Sequence, residues 1–206
     1  LLASCSSLEA QSLGYVIAGG RCQKVFMPKN ATILMVRHAE KPESGTGLAV
    51  LGQERALAYV IYFQNYLLNG SLLQINSIFA TADSPRSMRP RLTVQPFAEA
   101  MGLPIHDQVQ DSQYNNSTIL ICWHHGEILH LAAALGVDAG QLPPDSLWPS
   151  KPWPEDVYGW LLQLCYDATG SITPAQTVCI NQQLMFDDYG KNPPQSQATA
   201  SQQTLP

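Results

Sequence analysis

The chain has 206 residues, 45% of them hydrophobic, with 11 Lys and Arg and a formal net charge of −5. That length and apolar content suffice for one good-sized core and predict a single main domain. The negative balance excludes nucleic acid or anionic lipid headgroups as diffuse electrostatic partners, so any bound anion must meet a few positioned cations. No apolar run approaches the roughly 18–20 residues of a spanning helix.

Residues 1–30 read as an irregular N-terminal segment with one short strand at Gly14–Ala18. Within it, Leu2-Ala3-Ser4-Cys5 resembles the bacterial lipobox, a small-residue cleavage site before a Cys that becomes lipidated. It implies an exported protein, periplasmic or at the cell surface, whose membrane contact is a lipid on Cys5. Cys22, Cys122, Cys165 and Cys179 can be disulfides in an oxidising compartment or ordinary buried thiols, and spacing does not choose among their pairings. The absence of Cys-x-x-Cys argues against a structural zinc site.

Ala31–Val36 is a short, continuous apolar run rich in β-formers and predicts a strand buried on both faces. A Pro/Gly-rich loop, 41–47, leads into a helix over Leu51–Leu68. There Ala56, Leu57, Val60, Ile61, Phe63 and Leu67 recur at helical spacing, and Asn69-Gly70 supplies a C-cap. Ser77–Thr81 is a second strand. Beyond it Pro90 suits a first helical turn, Pro96 is expected to kink or restart the helix, and Gly102 closes it. Thr118–Trp123 is a third buried strand, followed by a helix from Glu127 to Leu135 that stops at Gly136. Val157–Asp167 and Val178–Phe186 are late strands, antiparallel and joined through Gly170. The Pro-, Gln- and Ser-rich chain beyond Tyr189 is expected to be disordered. The domain is thus 31–189 and the tail 190–206. Alternating short strands and helices predict an α/β fold with a mostly parallel central sheet covered on both faces.

In such a sheet, ligands gather beyond the carboxyl ends of the strands. Arg37-His38-Ala39-Glu40-Lys41-Pro42 follows the first strand, Arg86, Arg89 and Arg91 the second, and His124-His125-Gly126-Glu127 the third. Two imidazoles and at least two guanidiniums would therefore meet at one edge. Guanidinium forks bind phosphoryl oxygens bidentately, and positioning with charge stabilisation is most of what phosphoryl transfer requires. A neutral imidazole flanked by Arg is a competent nucleophile near pH 7, because the neighbouring charge disfavours its protonation.

Leu34–Pro42 resembles the strand-Arg-His-Gly signature of the histidine phosphatase superfamily, the phosphoglycerate-mutase-like enzymes, with Ala39 in place of the usual Gly. Ser87–Pro104 resembles the family's second Arg motif and the helix behind it, and Ile119–Ile128 the strand that delivers a second His. The resemblance implies a three-layer α/β/α sandwich and a phosphomonoester hydrolase working on a small phosphorylated substrate through a phosphohistidine, without metal or organic cofactor. It makes His38 the nucleophile and Arg37, Arg89 and His125 the phosphate pocket. His125 is chosen because Gly126 follows it, which leaves His124 a structural part; Arg86 or Arg91 can replace Arg89. The general acid is Asp111 or Glu127, and Glu40 and Lys41 line or order the entrance. Two alternatives stay open: a phosphoglycerate-type mutase, disfavoured by the few cations outside the core set, and a non-catalytic phospholigand-binding module on the same fold. The loops 41–50 and 106–117 carry no readable specificity code.

Overall fold

The computed structural model describes residues 15–18, 21–24, 27–107, 114–149 and 152–193. Cys5, Asp111 and the chain from 194 onward lie outside the described residues, and of Cys22 only the backbone is described.

Three runs of β-branched and apolar residues form the middle of the sheet: β3 (Thr32–Arg37), β8 (Thr118–Trp123) and β9 (Trp160–Cys165). With β6 (Ser77–Ala80), β7 (Ile105–His106) and β10 (Val178–Asn181) they make a six-stranded sheet in the order β10-β9-β3-β8-β6-β7. The pairs β3/β8, β8/β6 and β6/β7 are parallel, whereas β9 runs antiparallel to both β3 and β10. Two hairpins stand apart, β1 (Tyr15–Ala18) with β2 (Arg21–Lys24), and β4 (Leu67–Leu68) with β5 (Ser71–Leu72).

Side chains alternate across a strand, so a strand apolar at every position feeds two cores. Leu34, Val36, Leu120, Cys122 and Leu161 pack with Tyr59 and Phe63 of helix α1 (Val50–Gln64) and with Val94, Phe97 and Ala98 of helix α2 (Arg89–Met101). Ile33, Met35, Ile119, Ile121, Leu162 and Leu164 point the other way, onto Ile128 and Ala132 of helix α3 (Ile128–Ala134) and onto Trp153, Val157 and Trp160. Among the described residues, no helix is long and apolar enough to cross a membrane.

Four expectations are corrected. Helix α1 ends at Gln64, and Asn69-Gly70, with φ of 51° and 76°, is the two-residue turn of the β4/β5 hairpin rather than a helix cap. Its buried face is also rotated: Gly52, Arg55, Ala56, Tyr59 and Phe63 point inward while Leu57 and Ile61 stay 61% and 70% exposed. Helix α2 runs through Pro96 to Met101, which excludes a restart at Pro96. Proline removes one intrahelical hydrogen bond there, and burial of Val94, Phe97 and Ala98 on the sheet outweighs that loss. Finally, the folded chain extends past Tyr189: the Lys191 carbonyl accepts a hydrogen bond from Trp160 Nε1, and Pro193 is buried. The late strands are antiparallel as expected, but shorter than their apolar runs. Cys122, Cys165 and Cys179 are free, buried thiols.

Candidate active site

The parallel register of β3 on β8 builds the site. Arg37 stands opposite Trp123, and the His38 amide donates to the Trp123 carbonyl at 3.0 Å, so the residues just beyond each strand end come side by side. The His38 ring meets the His124 ring edge-on, with centroids 5.5 Å apart. Of the paired histidines, His124 is the one whose ring lies against that of His38. One residue further along, His125 is influenced by Arg37, Glu155, Lys41 and His124, and burial is the main cause that lowers its pKa.

His38 is 4% exposed, and its Nδ1 lies 2.8 Å from the Ala39 carbonyl. A carbonyl only accepts, so Nδ1 carries the proton and Nε2 keeps its lone pair. Burial is the largest effect on His38 and lowers its pKa to about 3; the Ala39 hydrogen bond comes next and raises it, and the fields of Arg37, His124 and Arg89 add smaller lowering contributions. The ring is neutral at physiological pH. Burial and the same two arginines, Arg89 before Arg37, also lower the pKa of His124.

Arg37 is fully buried. Its Nη1 donates to the carbonyls of Pro154, Glu155 and Val157 at 3.1, 2.7 and 2.9 Å, and its guanidinium carbon lies 3.9 Å from the centroid of the Tyr158 ring. Burial lowers its pKa, while Tyr158 and Glu40 oppose the shift. Its Nε and Nη2, like Arg89 Nε, are buried without an acceptor among the described residues. Arg89 opens helix α2, donates from Nη1 to the Gly45 carbonyl, and is tied to the His38 loop through Thr93. The Thr93 hydroxyl donates to the Arg89 carbonyl at 2.7 Å and accepts from the Ala39 amide at 2.8 Å. Arg91 is instead committed to Asp83 and Gln95, and Arg86 is exposed.

The two acid candidates fare differently. Glu127 is exposed and pairs with His130 at 3.4 Å on the surface of α3, apart from the contacts of His38; Asp111 lies outside the described residues. Glu40 turns inward instead of lining the entrance, because the buried Arg55 takes both of its carboxylate oxygens. Arg55, Tyr158 and Asp188 escaped the sequence reading. The one local signal was an arginine on the helix face that carries Ala56, Tyr59 and Phe63. Among the described residues, no three His, Cys, Asp or Glu side chains converge as metal donors.

No family model and no curated protein matches the chain. Among solved structures it is similar to the protein histidine phosphatase SixA complexed with tungstate, at 14% sequence identity and a TM-score of 0.44. The match covers 71% of this chain and 96% of that one. At that distance the likeness adds nothing to the geometry already described.

Proposed function

We propose that the chain is a phosphomonoester hydrolase of the histidine phosphatase type, on a phosphoglycerate-mutase-like α/β/α fold, acting on a small phosphorylated substrate through a phosphohistidine at His38. One observation carries this reading: a neutral imidazole with its Nε2 lone pair free stands beside two arginines, of which Arg37 Nε and Nη2 and Arg89 Nε are buried without an acceptor among the described residues. Nε2 attacks phosphorus and forms the P–N bond as the P–O bond to the leaving alkoxide breaks. Arg37 and Arg89 donate to the non-bridging oxygens, where charge develops. His124 takes the role first given to His125. Asp111 remains the proposed donor of the proton to the leaving group, and water then cleaves the P–N bond. A binding module would need the cations but no nucleophile, and a mutase would need further basic residues for a second phosphate.

Quenched turnover of a labelled phosphomonoester is expected to trap an acid-labile, base-stable phosphoenzyme. In His38→Ala both this species and turnover of p-nitrophenyl phosphate are lost. Near-normal turnover by His38→Ala sinks the proposal.

A further inference from the structure

Behind the catalytic edge, one guanidinium grips two separate parts of the chain. Arg55 on α1 is fully buried. It donates from Nε and Nη2 to Glu40 at 2.6–3.1 Å, and from Nη1 and Nη2 to the two oxygens of Asp188 at 2.8 Å each. Burial alone would lower the Arg55 pKa and raise that of Asp188. Hydrogen bonding reverses both shifts. A buried charge cluster is often no more stabilising than an apolar core of the same volume, so stability alone does not account for it.

Each carboxylate leads to a different reacting group. Glu40 follows Ala39, whose carbonyl receives the Nδ1 proton of His38. The Glu40 backbone is itself pinned to α1, since the Ala49 amide donates to its carbonyl at 2.9 Å and a Cβ at Gly52 would fall 2.6 Å from that oxygen. Asp188 accepts from the Leu184 and Met185 amides and lies so close to Gly159 that a Cβ there would collide with its carboxyl group. Gly159 is the neighbour of Tyr158, the ring stacked on Arg37.

We propose that Arg55 is a positioning residue for the reaction. Through Glu40 it holds the carbonyl that selects the His38 tautomer, and through Asp188 and Gly159 it seats Tyr158 against Arg37. The turn at Leu184–Asp188 thereby belongs to the frame of the site although it lies far along the chain from His38. This inference rests on the reading of His38 and Arg37 as reacting groups, and its test keeps the two separable.

The test compares the full chain with three variants. Asp188→Asn is isosteric, Arg55→Lys keeps the charge but not the fork, and Gly159→Ala leaves every charged group in place and crowds Asp188. Nitrogen NMR of the His38 ring reports its tautomer, independent of turnover. Near-ultraviolet circular dichroism fixes a temperature at which each variant remains folded. The wild type is expected to show a single Nδ1–H tautomer. In folded variants the tautomers mix, and kcat on p-nitrophenyl phosphate falls about tenfold to hundredfold, with KM changed by less than about threefold. If Arg55→Lys does not fold, the other two decide. Folded Asp188→Asn and Gly159→Ala with lowered Tm but unchanged tautomer and kcat would show a merely structural cluster and overturn the proposal. A wild type inert toward p-nitrophenyl phosphate defeats the phosphatase reading instead, and the tautomer comparison still decides the role of Arg55.

Discussion

A histidine attacks phosphorus only while its ring is uncharged, and His38 is kept so by desolvation and by the cations on either side of it. The same surroundings reach His124, whose ring sits edge-on to His38 and whose pKa falls under burial and the fields of Arg89 and Arg37. On the proposed mechanism His124 donates a hydrogen bond to a phosphoryl oxygen, while His125 lies in the fields of Arg37, Glu155 and Lys41. Loss of one such donor costs roughly 100-fold in rate, or about 2.7 kcal/mol. His124→Ala is therefore expected to lower kcat/KM for p-nitrophenyl phosphate by about that factor, and His125→Ala by less than about threefold. Equal losses in the two variants would restore the pairing chosen from Gly126.

Helix α1 supports the site from below, and its backbone comes close to the His38 loop at Gly52. A methyl group there would stand 2.6 Å from the Glu40 carbonyl oxygen and 2.9 Å from its amide nitrogen. Both are backbone atoms, so neither can swing aside. Alanine has the higher helix propensity, by about 1 kcal/mol, but overpacking costs about 1–3 kcal/mol. The second effect wins: Gly52→Ala is expected to lower stability in urea denaturation by about 1–2 kcal/mol, and to lower activity because Glu40 and Ala39 move with the loop. An increase in stability would show that the loop yields freely. The exposed Leu57 and Ile61 mark what the inward turn of Arg55 does to this helix. With a charged side chain drawn into the core by two carboxylates, two apolar ones remain on the solvent side.

At the scale of the molecule, the C-terminal residues close the fold. Asp188 anchors to Arg55, Asn181 donates to the Asp188 carbonyl, and the Lys191 side chain donates to the Asp156 carbonyl at 2.9 Å. The Lys191 backbone meanwhile caps Trp160 in the core. A chain ending after Pro193 is expected to melt within about 1 °C of the full chain. One ending after Tyr189 loses the Trp160 hydrogen bond, worth about 1 kcal/mol, and for a domain of this size melts about 2–4 °C lower. Equal melting temperatures for the two truncations would place the boundary back at Tyr189.

Central strands were legible in the sequence because their signal is local. Ala31–Val36 and Thr118–Trp123 are short runs in which every residue but one threonine is apolar, a pattern that burial on both faces satisfies. That Arg37, His38, Arg89 and a histidine of the pair 124–125 gather at one edge follows from the same runs, since each set comes just after a strand. Which histidine faces His38 was decided by register. Side chains in a strand alternate with a period of two, so a shift of one residue exchanges His124 for His125, and no local pattern records the pairing of β3 with β8. Arg55 lay beyond local reach for another reason. The charge of an arginine predicts that it faces water, and here that is overruled by two carboxylates, one 15 and the other 133 residues away, which only the folded chain brings to it.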